Sequence, residues 1–202
     1  MSLLNNLRRL RMKNIYELAK QIKVVVFDFD GVFTDNSVLE GAPYKGKIRS
    51  HYDGQGVSLL RALGIEVAVI TNETGIHAEP VVGLVEKWNN LPSAKKPLED
   101  GGWARVELFL GMGGPRKVEA AEQFLASIDA SFEECAAMGD DLVDVPLLRK
   151  VAFPVAPAQA EKVVKEIALF VTERPGGAGA VRDFVNFILR ARGIDPTTLP
   201  FN

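Results

Sequence analysis

The sequence has few of the features that mark secreted, membrane or nucleic-acid-binding proteins. It has one cysteine among 202 residues, so no disulfide can form within the chain, and the apolar neighbours of Cys135 predict an inert buried thiol. It has no signal-peptide core and no apolar run of about 18 residues, which argues against secretion and a membrane span. Its 24 basic residues do not outnumber its 26 acidic ones, so no nucleic-acid footprint is expected. These absences predict a cytoplasmic protein.

What the chain does contain is typical of a globular α/β protein. Strand-like apolar runs lie at Val24–Phe27, Glu66–Thr71, Val106–Leu110, Cys135–Met138, Val151–Val155 and Leu169–Thr172. Amphipathic, helix-like stretches alternate with them at about 57–63, 78–88, 117–127, 143–150, 158–167 and 180–191. This alternation predicts a doubly wound, mainly parallel, Rossmann-like sheet with helices on both faces. We expect one domain over 23–192, after an amino-terminal arm over 1–22 and before a tail over 193–202.

Two segments interrupt this alternation. Residues 36–52 combine Gly and Pro turn signals with flanking apolar residues, which predicts a projecting β-hairpin. Residues 89–102 contain Pro92, Pro97 and paired glycines, which predicts a surface loop. Neither segment is long enough to form a second domain.

The segment Lys23–Asp35, KVVVFDFDGVFTD, is the strongest chemical signal. Val24–Phe27 is predicted to be a strand buried on both faces, so Asp28 and Asp30 lie at its carboxyl end, where open α/β sheets bind ligands. Gly31 allows a sharp turn or a close approach to a ligand. Two acids beside a buried strand are costly unless a metal or a polar site compensates them. The alternative is a pair of aspartates that only cap a turn.

Two further strand ends carry groups that suit an anion. Thr71 and Asn72 close the second strand with a hydroxyl group and backbone N–H groups, where a phosphate could bind. The alternative is that Thr71 is only the N-cap of the next helix. Lys117 opens a helix after a glycine-rich turn, where its charge opposes the helix dipole, so helix stability does not explain it. It could instead be a solvated surface lysine.

A cluster of acids follows the strand that ends at Met138. Asp140, Asp141 and Asp144 place three carboxylates within five residues. This arrangement suggests Mg²⁺, which prefers one or two carboxylates together with water and phosphate oxygens. The spacing of an EF-hand calcium loop is absent.

These elements, in this order and each at a strand end, resemble the four motifs of the haloacid dehalogenase superfamily. With the segments YDGQGVSLLRALGIEVAVIT, MGDDLVDVPLL and ERPGGAGAVRDF and no cap domain, the chain is similar to the capless sugar-acid phosphatases. The resemblance implies that Asp28 is the nucleophile and that Asp30 is the general acid and base.

The same resemblance implies how the phosphate and the metal are bound. Thr71, the backbone of Asn72 and Lys117 would bind the phosphoryl oxygens. Mg²⁺ would take carboxylate oxygens of Asp28 and Asp140 and the carbonyl of Asp30. It further implies that Asp141 and Asp144 orient metal-bound water and Lys117.

The implied substrate is a sugar-acid phosphate, 3-deoxy-D-manno-octulosonate 8-phosphate of lipopolysaccharide biosynthesis. The eight-carbon enzymes usually carry Arg where this chain has Tyr52, and Gly-Arg where it has Asn72 and Glu73. Glu73 looks more like the branch that acts on nine-carbon, sialic-acid-type 9-phosphates, which is therefore the alternative. Arg182 is a candidate for binding the sugar carboxylate, or is a surface residue of the last helix.

The resemblance also implies a homotetramer in which the hairpin over 36–52 packs on a neighbouring subunit and covers its site. Lys45 and Lys47 at the hairpin tip could contact a neighbour's substrate or keep an edge strand from aggregating. The sequence spacing around His51 and His77 does not match a metal site, and both are predicted to be structural. Two alternatives are a non-catalytic domain that binds a synthetase and a phosphomutase, the latter disfavoured because such enzymes usually have a cap.

Overall fold

The structure is a computed structural model that describes residues 13–41 and 44–200, with side chains outside 40–45. Its strands are β1 (Val24–Phe27), β2 (Leu39–Gly41), β3 (Tyr44–Gly46), β4 (Glu66–Ile70), β5 (Glu107–Phe109), β6 (Cys135–Met138), β7 (Phe153–Ala156) and β8 (Phe170–Val171). Six of them form one sheet in the order β5-β4-β1-β6-β7-β8, and every pairing in it is parallel. The predicted doubly wound sheet is confirmed.

Helices cover both faces of this sheet. They are α1 (13–21), α2 (His51–Ala62), α3 (Glu79–Asn89), α4 (Pro115–Ser127), α5 (Val145–Leu148), α6 (Lys162–Ile167) and α7 (Ala180–Arg192). Alternate residues of β1 point to opposite faces: Val25 and Phe27 join the core beneath α1, α2, α3 and α7, and Val24 and Val26 join the core beneath α4, α5 and α6. Burial on both faces explains why β1 is a continuous apolar run.

The predicted hairpin is shorter than the sequence suggests. Strands β2 and β3 pair antiparallel, and a single bridge joins Thr34 to Arg49 at its base. Helix α2 begins at His51 because the hydroxyl oxygen of Ser50 accepts a hydrogen bond from the N–H of Tyr52 (3.1 Å), so the prediction of a hairpin as far as residue 52 is wrong. Of the two lysines noted in this segment, Lys45 has its side chain outside the described residues.

The segment 89–102 and the described part of the predicted arm both pack onto the domain. Residues 89–102 contain two short 3₁₀ helices, Pro92–Lys95 and Leu98–Asp100. The N–H of the buried Trp103, just after this segment, donates a hydrogen bond to the carbonyl of Ser93 (2.9 Å). Within the predicted arm, Ile15 and Ala19 of α1 are buried in the main core, whereas residues 1–12 lie outside the described part.

Residues 13–41 and 44–200 contain neither a cap domain nor a membrane-spanning helix. In these ranges no second domain covers the carboxyl ends of the strands. No described helix is both long and apolar enough to cross a membrane.

Candidate active site

The candidate residues meet at the carboxyl ends of β1, β4 and β6. Strand β1 lies between β4 and β6, so the residues that follow these three strands face a common space, the position at which doubly wound sheets bind ligands. There the structure has a cavity of about 240 Å³. Its lining residues are Asp28, Asp30, Asn36, Thr71, Asn72, Glu73, Lys117, Asp140, Asp141 and Val143. Every predicted catalytic, phosphate-binding and metal-binding residue except Arg182 therefore lines this cavity, and Asp144 contacts it through Lys117.

Lys117 is buried against two carboxylates. It lies in the first turn of α4, its side chain is 1% exposed, and its Nζ lies 2.7 Å from Oδ1 of Asp28 and 2.5 Å from Oδ1 of Asp144. Burial opposes its charge, but the two acids outweigh burial and raise the pKa of Lys117 above its usual value. Lys117 is therefore a permanent cation beside Asp28, and the alternative of a solvated surface lysine is wrong.

Asp144 holds both Lys117 and the turn after β6. Its Oδ1 contacts Lys117, and its Oδ2 accepts hydrogen bonds from the backbone N–H groups of Asp140 (3.0 Å) and Asp141 (3.2 Å). Both oxygens are thus used by protein donors. Among the acids of this cluster, Asp144 orients its neighbours, and Asp28 and Asp140 remain as the candidate metal ligands.

The carboxylates of Asp28 and Asp140 lie in an environment that disfavours two negative charges. Burial, followed by the charge of Asp144, raises the pKa of Asp28 to about 7 although Lys117 opposes the shift. Burial and the charges of Asp28, Asp144 and Asp141 raise the pKa of Asp140 to about 7. Ligand oxygens of Asp28, Asp140 and Asp144 lie within 4.8 Å of one another. A divalent cation between Asp28 and Asp140 would relieve this repulsion, so the donor set fits Mg²⁺.

Asp30 is held by residues from two other segments. Its Oδ1 accepts a hydrogen bond from the hydroxyl of Thr34 (3.0 Å), and its Oδ2 lies 2.5 Å from Nζ of Lys47. Lys47 also donates to Oε1 of Glu73 (2.9 Å). Burial opposes the charge of Lys47, but its bonds to Asp30 and Glu73 raise its pKa. The sequence placed Lys47 at the hairpin tip, whereas its side chain reaches back to the cavity of its own chain.

Thr71 and Asn72, the predicted phosphate-binding residues, line the same cavity. Thr71 is buried, and its hydroxyl oxygen accepts from the N–H of Glu73 (3.2 Å). The next helical turn, Gly75–Ala78, begins after Thr74, so the alternative that Thr71 is a helix N-cap is wrong. Thr71 lines the cavity instead.

The glycine-rich segment before α7 supports the loop that carries Asp30. The side chain of Gln159 donates to the carbonyl of Gly31 (2.7 Å) and accepts from the N–H of Gly176 (2.7 Å). A Cβ on Gly176 would lie 1.9 Å from that same carbonyl oxygen, so only glycine allows this approach. Asp53 accepts from the N–H groups of Gly179 and Arg182 (both 3.1 Å) and ties α2 to α7. No local sequence signal identifies Gln159 or Asp53, because both act through contacts distant in the chain.

Arg182 and the histidines lie apart from this cavity. The Nε of Arg182 donates to Oδ1 of Asn186 (3.0 Å), and its side chain lines a separate cavity of about 550 Å³ beside β8 and α7. Within this chain, then, the structure does not bring Arg182 to the other candidates. His51 is the exposed first residue of α2, and His77 lies in the turn Gly75–Ala78.

Comparison with known proteins agrees with this geometry. A family model described as haloacid dehalogenase-like hydrolase matches residues 103–183. The 3-deoxy-D-manno-octulosonate 8-phosphate phosphatase of Escherichia coli strain K12 is 30% identical over 176 residues, which cover 87% of this chain and 83% of that protein. This chain belongs to the haloacid dehalogenase-like hydrolases. Within them it groups with the phosphatases, which hydrolyse phosphomonoesters.

Two solved structures extend the comparison of this hydrolase. One is the 3-deoxy-D-manno-octulosonate 8-phosphate phosphatase of Moraxella catarrhalis, in complex with a magnesium ion, a phosphate ion and a KDO molecule. It superposes on this chain with a TM-score of 0.72 and is 25% identical, and the match covers 89% of this chain and 92% of that one. The cobalt-bound deoxy-D-mannose-octulosonate 8-phosphate phosphatase of Haemophilus influenzae has a TM-score of 0.70 at 28% identity over 87% and 92% of the two chains. The acidic cluster of Asp28, Asp140 and Asp144 is compatible with such a metal.

Proposed function

We propose that this hydrolase is a Mg²⁺-dependent phosphatase that acts on a sugar-acid phosphate, 3-deoxy-D-manno-octulosonate 8-phosphate, through an aspartyl-phosphate on Asp28. The observation that carries the proposal is the contact of Asp28 with the buried ammonium of Lys117 (2.7 Å), in a cavity that also holds Asp30 and Asp140. The cavity supplies a nucleophile, an acid–base group and positive charge. The relatives named above suggest the sugar.

The positive charge of Lys117 offsets the repulsion between the attacking carboxylate and the phosphate. A carboxylate must approach a phosphate dianion, and at about 4 Å with an effective dielectric constant near 20 each pair of unit charges costs about 4 kcal/mol, or about 8 kcal/mol for the dianion. The contacts with Asp28 and Asp144 hold Lys117 beside the proposed nucleophile. Preorganised charge of this kind needs little rearrangement during the reaction.

The reaction proceeds in two displacements on phosphorus. A carboxylate oxygen of Asp28 bonds to phosphorus while the ester P–O bond breaks, and Asp30 gives its proton to the departing oxygen of the sugar. Asp30 then takes a proton from water, whose oxygen attacks phosphorus. The bond from Asp28 to phosphorus breaks and inorganic phosphate leaves. Thr71, the N–H of Asn72 and Lys117 bind the oxygens of the transferring group in both steps.

The metal site that we propose uses carboxylate oxygens of Asp28 and Asp140 and the carbonyl of Asp30. Asp28 and Asp140 are the acids whose pKa values are raised to about 7, as expected for ligands that lack their cation. Oδ2 of Asp140 also accepts a hydrogen bond from the side chain of Asn36 (3.4 Å), which orients it. Bound Mg²⁺ would neutralise charge on the phosphoryl oxygens.

Gly31→Ala is expected to abolish Mg²⁺ binding and activity. A Cβ at Gly31 would lie 1.9 Å from Oδ2 of Asp140, so Asp140 would have to leave its place. Gly64→Ala is the matched control because Gly64 has nearly the same φ (+71° against +72°) with no atom within 4 Å of its Cβ. Both variants carry the same backbone strain, so calorimetric Mg²⁺ titration should separate them. Normal Mg²⁺ affinity in Gly31→Ala would contradict the proposed site.

The substrate is tested by measuring phosphate release from a panel of esters with and without Mg²⁺. The panel contains 3-deoxy-D-manno-octulosonate 8-phosphate, nine-carbon sialic-acid-type 9-phosphates and ordinary hexose phosphates. The nine-carbon substrate is the second candidate, since Glu73, which resembles the nine-carbon branch, lies in the cavity wall. A higher kcat/KM for the nine-carbon ester would overturn the choice of sugar. No release from any ester by folded protein would overturn the proposed function and favour a partner-binding role.

We also propose that the enzyme is a homotetramer whose hairpin covers a neighbour's cavity. Val38, Leu39 (74% exposed) and Ile48 (66% exposed) leave an apolar surface on and beside the hairpin, and the cavity has no cap among the described residues. Surfaces of this kind commonly mark interfaces. Leu39→Asp together with Ile48→Asp should therefore lower the sedimenting mass at micromolar concentration. Val171→Asp, at an exposed apolar position on β8, should not. A fully active wild-type monomer would contradict this proposal.

A further inference from the structure

Lys47 is a charged residue outside the recognised motifs with a buried side chain. It follows β3 in the chain, yet its side chain is only 3% exposed. Its Nζ lies 2.5 Å from Oδ2 of Asp30, 2.9 Å from Oε1 of Glu73 and 5.5 Å from the centre of the Phe29 ring. Burial of a long, flexible cation costs free energy unless its partners are well placed.

The contacts of Lys47 complete the fixation of Asp30. Thr34 occupies one oxygen of Asp30 and Lys47 occupies the other, so the carboxyl group is held in one rotamer from both sides. Glu73 holds Lys47 in turn, from the segment that follows β4. Without Lys47, the carboxylates of Asp30 and Glu73 would face each other with no cation between them. They would then repel each other, and the hydroxyl of Thr34 alone would hold Asp30.

We propose that Lys47 is a positioning residue that holds Asp30 in place for proton transfer to the leaving oxygen, with Glu73 as the anchor of Lys47. The proposal rests on the phosphatase function above. Because Lys47 has two carboxylate partners, it keeps a charged partner when Asp30 carries a proton. Asp30 can therefore be held at the same place in both half-reactions. The base of the hairpin thereby becomes part of the catalytic arrangement of its own subunit.

The proposal is tested by the dependence of the rate on the leaving group. A poor alkoxide leaving group needs the proton from Asp30, whereas p-nitrophenolate leaves without it. Lys47→Met should therefore lower kcat/KM, which reports the steps up to departure of the leaving group, by about 30-fold or more for 3-deoxy-D-manno-octulosonate 8-phosphate and by less than about 3-fold for p-nitrophenyl phosphate. Phenyl phosphate provides a poor leaving group that does not depend on the identity of the sugar. Lys162→Met removes an exposed lysine and should change neither rate.

A double-mutant cycle shows whether Lys47 acts through Asp30. In an Asp30→Asn background, Lys47→Met should have little further effect on kcat/KM. Equal losses for good and poor leaving groups, or a full extra loss in the Asp30→Asn background, would overturn the proposal. If thermal denaturation shows that Lys47→Met is unfolded, the same comparison of good and poor leaving groups is made with Glu73→Gln. We expect Glu73→Gln to cause a smaller loss of rate that is still confined to the poor leaving groups. Failure of the wild-type protein to hydrolyse any ester would refute the phosphatase function itself. That outcome differs from the results above, which all require an active wild-type enzyme.

Discussion

Asp28→Asn is expected to lower Mg²⁺-dependent phosphate release to less than about a hundredth of the wild-type rate. The change keeps the shape of the side chain but removes the nucleophilic oxygen that would bond to phosphorus. The fold should survive, because burial and the charge of Asp144 disfavour the ionised form of Asp28, as its raised pKa of about 7 shows. The rate is measured by phosphate release. The intermediate is measured by acid quench and mass spectrometry of the Asp28 peptide, which should be phosphorylated only in the wild type.

The matched control is Asp100→Asn, the same chemical change at an exposed site in the segment 89–102. It should retain full activity. If Asp28→Asn kept more than about a hundredth of the activity, a covalent route through this residue would be wrong, and direct attack by water would replace it.

The second large effect is the dependence of the stability of the folded protein on pH and on Mg²⁺. In metal-free protein, the pKa values of Asp28 and Asp140 are raised from 3.8 to about 7. Burial also raises the pKa of Asp53 to about 6, although hydrogen bonds from the N–H groups of Arg182 and Gly179 oppose this shift. The folded state therefore binds more protons than the unfolded state in this range. Stability should then fall as pH rises from about 4 to about 7. Thermal denaturation in EDTA should give a lower Tm at neutral pH than near pH 5.

Mg²⁺ should reverse this loss at neutral pH, because it binds the ionised carboxylates of the folded state. Asp140→Asn should raise the metal-free Tm at neutral pH by about 5 °C, since it removes one of the repelling charges. It should also abolish the Mg²⁺-dependent rise in Tm, and activity with it. Asp100→Asn again serves as the control with unchanged Mg²⁺ response. An unchanged Mg²⁺ titration of Asp140→Asn would show that Asp140 is not a ligand.

The core of the fold was predictable because its signals are local. The apolar run Val24–Phe27 and the run Cys135–Met138 became strands with the predicted bounds. Each is buried on both faces, and a strand of that kind must be apolar throughout. The start of α2 was harder to predict, because Gly54 and Gly56 weaken the helical pattern there and the cap at Ser50 is a single contact.

The sequence by itself determined which chemical groups lie at the site. Asp28, Thr71, Lys117 and Asp140 each follow a strand of the sheet directly or after a short turn, and in a parallel sheet all such ends lie on the same edge. Their positions along the chain are therefore enough to bring them together. The role of each residue still depended on the resemblance to a known family.

Only the tertiary structure decided which partners fix these groups. The contact of Lys47 with Asp30 joins residues 17 apart, that of Lys117 with Asp144 joins residues 27 apart, and that of Gln159 with Gly31 joins residues 128 apart. The structure likewise placed Arg182 beside a different cavity. Such contacts depend on how the hairpin, α4 and the segment before α7 pack on the sheet. No local periodicity encodes that packing, because it follows from the burial of side chains that are distant in the chain.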